Sequence, residues 1–151
     1  PLKFTAEQRN ARVDAVLDLL QMRSCADSRI GDPKLGQGGC SGGEKKRLSI
    51  ATAIIGGLPS AILCDEPTSG LDSRSAEQVV ALLRGIADRG VTVICSIHQP
   101  AHELFKEFNH LLLLEFGKVA YCGAVADAEV TFRRSGFPTP EHVNPADHYV
   151  K

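Results

Sequence analysis

The chain has 151 residues, 43% hydrophobic and 23% charged, an ordinary globular composition that excludes a disordered tail or a fibre and suffices for one modest domain. Seventeen Lys and Arg against eighteen Asp and Glu leave a formal net charge of −1, so there is no basic footprint for a phosphate backbone and nucleic acid is not an expected partner. Aromatic residues are only 5% and Trp is absent, which argues against stacking platforms for bases or sugars.

No apolar run, the four residues Leu111 to Leu114 included, approaches the roughly 20 residues that cross a bilayer. The sequence opens on Pro1 without a signal-like segment and stops at Lys151 after an apolar pair, so both ends read as cut from something longer. Cys25, Cys40, Cys64, Cys95 and Cys122 are odd in number and lack metal-site spacing, which points to reduced structural thiols.

In chain order, Thr5 and Gln8 form a capping box opening a helix with Val13, Val16, Leu17 and Leu20 on one face. Gly31 to Gly43 reads as a loop. Ser41 and Glu44 make a second capping box, starting a helix that runs to about Ile55 and is stopped by Gly56, Gly57 and Pro59. Ser60 to Asp65 is a buried strand and Pro67 to Asp72 a turn. A helix from Ser73 to about Asp88 buries Val79, Val80, Leu83 and Ile86. Val91 to Ile97 is a second buried strand. A short helix follows Pro100, with Leu104, Phe105 and Phe108 inward. Two strands, His110 to Glu115 and Lys118 to Cys122, flank a tight turn at Phe116-Gly117. A last helix spans about Ala124 to Ser135, with Gly136 as its stop. Strands alternating with helices predict an α/β fold with a largely parallel sheet.

Two places concentrate chemistry. Cys40-Ser41-Gly42-Gly43-Glu44 is a glycine-bearing turn delivering a helix N-terminus whose unpaired N–H groups attract anions, and glycines let a phosphate approach the backbone closely. The Ser41 hydroxyl either caps its own helix or donates to a phosphate. Ala61-Ile62-Leu63-Cys64 then runs into Asp65-Glu66 at a strand's C-terminal end, where α/β sheets place ligand chemistry. Adjacent strand side chains point to opposite faces, so one acid can hold a Mg²⁺ shell and the other orient or deprotonate an attacking water. Ser69-Gly70-Leu71-Asp72 follows at once, and the second strand delivers His98-Gln99-Pro100, whose imidazole is suited to a terminal phosphate or the water attacking it.

This ordered set resembles the nucleotide-binding domain of ABC transporters. Residues 40–44 resemble the signature motif, with Cys40 in place of the usual Leu or Val. Asp65 matches the Walker B aspartate, Glu66 the catalytic glutamate, Ser69, Gly70, Leu71 and Asp72 the D-loop, and His98 the switch histidine. Glu103-Leu104-Phe105, Gly136-Phe137-Pro138 and Asn144-Pro145-Ala146-Asp147 are similar to the G, or white-type, subfamily.

No Walker A loop, G-x-x-x-x-G-K-[ST], is found: Gly31 and Gly36 have its spacing, but Gln37 stands where Lys belongs. The resemblance therefore implies a P-loop NTPase-like ABC ATPase core that is partial: one domain over 1–151, with a helical signature region at 1–55 and the second half of the catalytic core at 56–151.

It further implies ATP and Mg²⁺ as cofactors, with Asp65 serving the metal and Glu66 and His98 the hydrolysis. Ser41, Gly42, Gly43 and Glu44 would bind nucleotide held by a second domain in a head-to-tail dimer, and Ser69 to Asp72 would lie at the dimer interface. A transmembrane domain of the same polypeptide and a place at the cytosolic face of a membrane are expected, and the isolated chain is expected to be inactive. A soluble ABC-type ATPase of the DNA-repair or chromosome-maintenance kind is the alternative; the neutral charge, the lack of heptads and the Asn-Pro-Ala-Asp segment weigh against it. A degenerate regulatory module is disfavoured by the intact Glu66 and His98.

Overall fold

The computed structural model describes residues 4–31 and 38–149. Thr5 caps α1 (Ala6–Leu19) through the reciprocal bonds that its spacing to Gln8 predicts. Val16 and Leu20 of the expected face are buried, whereas Val13 is 46% exposed, so the buried stripe is narrower than predicted. A 3₁₀ turn (Arg23–Cys25) follows, then α2 (Gly42–Ile54), β1 (Ala61–Asp65), α3 (Ser73–Ala87), β2 (Thr92–Ser96), α4 (His102–Phe105), β3 (His110–Glu115), β4 (Lys118–Ala124), α5 (Val125–Arg134) and α6 (Pro145–Tyr149). Much of the loop expected over Gly31 to Gly43, including the Walker-like spacing ending at Gln37, lies outside the described residues.

The chain divides into two compact units, residues 1–96 and 97–151. In the first, β1 and β2 are parallel, paired from Ala61 with Thr92 to Asp65 with Ser96, and α3 connects them. Parallel strands need such a crossover, which the apolar stripe of α3 anchors. Val79 and Ile86 are fully buried, Leu83 nearly so, and they join Leu20, Ile50, Ile54 and Ile62 in one core. Each such side chain contributes about 1.5–3 kcal/mol on burial. The Arg12 guanidinium of α1 donates to the Ile55 carbonyl, and to that of Ile54 at 3.5 Å, satisfying the open C-terminal end of α2.

The two strands were expected to be buried, but only one face of the pair is. Ile62, Cys64, Val93 and Cys95 pack on the core, while Leu63 is 77% and Ile94 56% exposed. The alternation follows from the period of two along a strand. Cys64 and Cys95 are cross-strand partners on the packed face. The Cys95 thiol beside it draws Cys64 down to about 7, against the effect of burial and with Lys46 adding to the pull; Cys95 is pushed up, by Cys64 first and burial second.

In the second unit β3 and β4 form an antiparallel hairpin, so the parallel character of the chain resides in the first unit. Phe116 (φ 47°) and Gly117 (φ 74°) both occupy left-handed backbone, which a two-residue hairpin of matching twist requires. Phe132 of α5 stacks on Tyr149 of α6 at 4.2 Å, with Tyr121 tilted against Phe132 at 5.7 Å. Periodicity could not reveal α6, which has five residues. Its signal is Asn144-Pro145, a capping residue ahead of a proline at the first helical position: the Asn144 side-chain oxygen accepts the Ala146 N–H at 3.2 Å.

Because α3 is the crossover that closes this core, Ile86→Ala should lower stability by about 2–5 kcal/mol. Urea denaturation of wild type and variant checks this; a shift within error would mean that the site collapses around the smaller side chain.

Candidate functional site

β1 and β2 end level with each other, at Asp65 and Ser96. The Ser96 hydroxyl donates to Asp65 Oδ1 at 2.5 Å and accepts the Glu66 N–H at 2.9 Å. The two acids are separated, but not by the pleat of a strand: Glu66 lies past the end of β1 with φ 44°. Left-handed backbone at a residue with a Cβ costs on the order of 1–3 kcal/mol and persists only where the surroundings hold it. They do so here. The Glu66 carbonyl accepts the Ser69 N–H at 3.2 Å and the Lys46 ammonium at 2.9 Å. Both acids are exposed, so their carboxylates face solvent at the C-terminal edge of the parallel pair.

Ser41 caps α2, its hydroxyl accepting the Glu44 N–H at 3.3 Å while Glu44 Oε2 accepts the Ser41 N–H at 2.7 Å. The Ser41 amide first, and the Ser41 hydroxyl after it, hold the Glu44 carboxyl below its ordinary value. The Ser41 hydroxyl thus uses acceptor capacity in the cap, and its own proton is compatible with a second partner.

Gly42 and Gly43 meet the turn that follows the acids. A Cβ on Gly42 would stand 3.2 Å from Leu71 Cδ2, and one on Gly43 3.3 Å from the Ser75 side chain. Folding therefore joins the glycine turn to the Ser69-Gly70-Leu71-Asp72 segment, Gly42 meeting Leu71 29 residues later in the chain. Asp72 caps α3, accepting the Ser75 N–H at 3.0 Å and its hydroxyl at 2.7 Å, and these bonds, the hydroxyl first, lower its pKa. Gly70 supplies the left-handed step (φ 73°) between the two.

His98 follows β2 by two residues, is exposed, and belongs to the second unit together with Gln99 (φ 43°) and Pro100. Within that unit Asn144 Nδ2 donates to the Pro100 carbonyl at 2.7 Å, so the Asn-Pro-Ala-Asp segment holds the residue that ends His-Gln-Pro.

Sequence reasoning missed Ser96 and Lys46, and gave Asn144 only as part of the Asn-Pro-Ala-Asp segment, without its bond to Pro100. Lys46 stood in a basic run and Ser96 in an apolar strand, and only their partners distinguish them. A Mg²⁺ ion suits the donor set, because it needs one or two carboxylates and completes its shell with water and phosphate oxygens. Asp65, exposed and hydroxyl-supported, offers such a ligand. Among the described residues no cluster of three or more His, Cys, Asp and Glu forms a closed metal cage.

The fold is that of an ATP-binding cassette. The crystal structure of the ADP conformation of an ATP-binding cassette of an ABC transporter superposes with a TM-score of 0.65 at 20% identity, over 84% of this chain and 47% of that one. Residues 2–69 match the family described as ABC transporter, and residues 98–151 the family described as ABC-2 type transporter. ABC transporter G family member 13 of Arabidopsis thaliana is 46% identical over 151 residues, which is 100% of this chain and 22% of that protein. Protein white of Drosophila melanogaster is 44% identical over the same length and share. The mouse ATP-binding cassette sub-family G member 5 is 40% identical over 98% of this chain and 22% of its own. The chain belongs to the ABC transporter family, in its white-type or G branch, and spans about a fifth of the length of the curated relatives it matches.

Glu44 yields a pH prediction. Its folded-state pKa is depressed, so its contribution to stability is present above the unfolded value and is lost as pH falls through the folded one. Glu44→Gln should be less stable than wild type at neutral pH and should lose less stability on acidification. Thermal melts across the acid range check this, and parallel curves for the two proteins would show that the capping carboxylate carries no linkage.

Proposed function

We propose that this segment supplies part of the ATP-hydrolysing machinery of a membrane transporter. The reading is carried by one juxtaposition: the capped, glycine-bearing N-terminus of α2 lies against the turn that leaves the Asp65-Glu66 strand end. In function the 1–55 region acts as the helical signature region and 56–151 as the second half of the catalytic core. Membership of the white-type branch and the ABC-2 type match over 98–151 favour a transporter over the soluble DNA-repair kind of ATPase.

Asp65 is the residue that would help hold Mg²⁺, whose charge would neutralise the ATP phosphates. Glu66 orients the attacking water and takes up its proton. His98 contributes a hydrogen bond to the terminal phosphate. Ser41, Gly42 and Gly43 present a hydroxyl and helix-terminal N–H groups to a nucleotide bound mainly by a second nucleotide-binding domain, with Glu44 bracing the cap. Ser69 to Asp72 form the neighbouring part of that head-to-tail interface. A membrane domain of the same polypeptide completes the transporter, with this segment at the cytosolic face and no nucleic acid as partner. Among the described residues no helix is long and apolar enough to cross a membrane.

In the complete transporter chain, Glu66→Gln should abolish turnover while ATP binding persists, since the amide keeps the shape and loses the base. Hydrolysis near the wild-type rate would show that another group orients the water. Ser41→Asp separates capping from phosphate contact. Asp is an equally good cap, but against a phosphate about 4 Å away it costs on the order of 4 kcal/mol at an effective dielectric near 20. The expected result is an unchanged melting temperature with turnover lost. Retained turnover at the same melting temperature would leave Ser41 a cap alone.

A further inference from the structure

We propose that Ser96 and Lys46 are positioning residues for Glu66, gripping its backbone from opposite sides so that its carboxylate is held at the strand end. The proposal rests on the reading of Glu66 as the water-orienting acid.

Three observations carry it. First, Glu66 has φ 44°, a conformation its own side chain disfavours, immediately after the last residue of β1. Second, the strand ladder stops at the pairing of Asp65 with Ser96, and the bond on the Glu66 N–H comes instead from a side chain, the Ser96 hydroxyl at 2.9 Å. A hydroxyl has one proton to give, and this one goes to Asp65 Oδ1 at 2.5 Å, a short charge-assisted contact. One oxygen atom therefore orients the first acid and anchors the amide of the second. Third, the Lys46 ammonium donates to the Glu66 carbonyl at 2.9 Å, from the turn of α2 that follows Gly42 and Gly43. Gly42 and Lys46 are four residues apart and share a helix face.

The consequence concerns communication as well as geometry. The N-terminus of α2 is read as serving a nucleotide held by another domain, whereas Glu66 serves the nucleotide of its own. Lys46 links the two within a single chain. A displacement of α2 is transmitted to the Glu66 peptide through one charged hydrogen bond. Ser96 fixes the peptide on the other side of the Glu66 Cα to β2, so the response is a change in the direction of the carboxylate rather than a general loosening. Neither residue needs to touch ATP.

The test uses the complete transporter chain with Mg²⁺ and ATP, measuring kcat, KM for ATP and melting temperature for Ser96→Ala, Ser96→Thr, Lys46→Met, Lys46→Arg and Glu66→Gln. Misdirecting a catalytic group by about 1 Å costs up to roughly a hundredfold in rate. Ser96→Ala and Lys46→Met should therefore lower kcat about tenfold or more, with KM within about twofold of wild type. Ser96→Thr, which restores the hydroxyl, and Lys46→Arg, which restores a charged donor, should recover most of the loss. Wild-type kcat in Ser96→Ala and Lys46→Met, alongside an inactive Glu66→Gln, overturns the positioning role and leaves the reading of Glu66 standing. Losses that follow the melting temperature and are not recovered by Thr or Arg overturn it as well, assigning both residues to stability alone. Full activity in Glu66→Gln removes the reading itself, and the proposal with it.

Discussion

Most of what the first unit offers chemically depends on where a parallel two-strand ladder ends. β1 and β2 stop level with each other, which puts Ser96 beside Asp65 and within reach of the next amide. Had β2 been shifted by one residue in register, Ser96 would point to the other face and the Glu66 N–H would lose its partner. The crossover through α3 sets that register, and the buried stripe of Val79, Leu83 and Ile86 keeps α3 in place. The apolar core and the acid pair are in this sense one structure, since packing determines which side chain lies beside the carboxylates.

The second constraint is the turn from Glu66 to Asp72. It changes direction through a left-handed Glu66 and a left-handed Gly70, then feeds α3 through the Asp72 cap. The compactness of this turn brings Leu71 and Ser75 against Gly42 and Gly43, where any larger residue would have to displace a side chain. The glycines thus have a packing reason to be small that is independent of phosphate approach. Both reasons apply to the same atoms, and the structure accommodates both.

The second unit is organised differently. In it Phe132 stacks on Tyr149, Leu104 and Phe105 are buried, and the Asn144 amide holds the Pro100 carbonyl. Asn144 serves two ends at once, starting α6 with its oxygen and securing the His-Gln-Pro segment with its nitrogen. The match over 98–151 to a family described as ABC-2 type transporter begins at His98, close to the boundary between the units at residues 96 and 97.

By itself the sequence determined what short-range physics controls. Both capping boxes, Thr5 with Gln8 and Ser41 with Glu44, form as their three-residue spacing demands, because the bonds involved span a single helical turn. The α3 stripe and the Phe116-Gly117 turn were legible for the same reason. The order of the chemical motifs was enough to name the family. Tertiary structure alone decided which partners meet across 20 to 31 positions: Lys46 with Glu66, Ser96 with Asp65, and Gly42 with Leu71. A lysine in a basic run and a serine in an apolar strand have no local periodicity to distinguish them. Their roles come from register and helix placement, which depend on how the core packs. The same applies to the exposed Leu63 and Ile94: their apolar runs read as buried strands, and only the packed structure showed that one face of the pair is left uncovered.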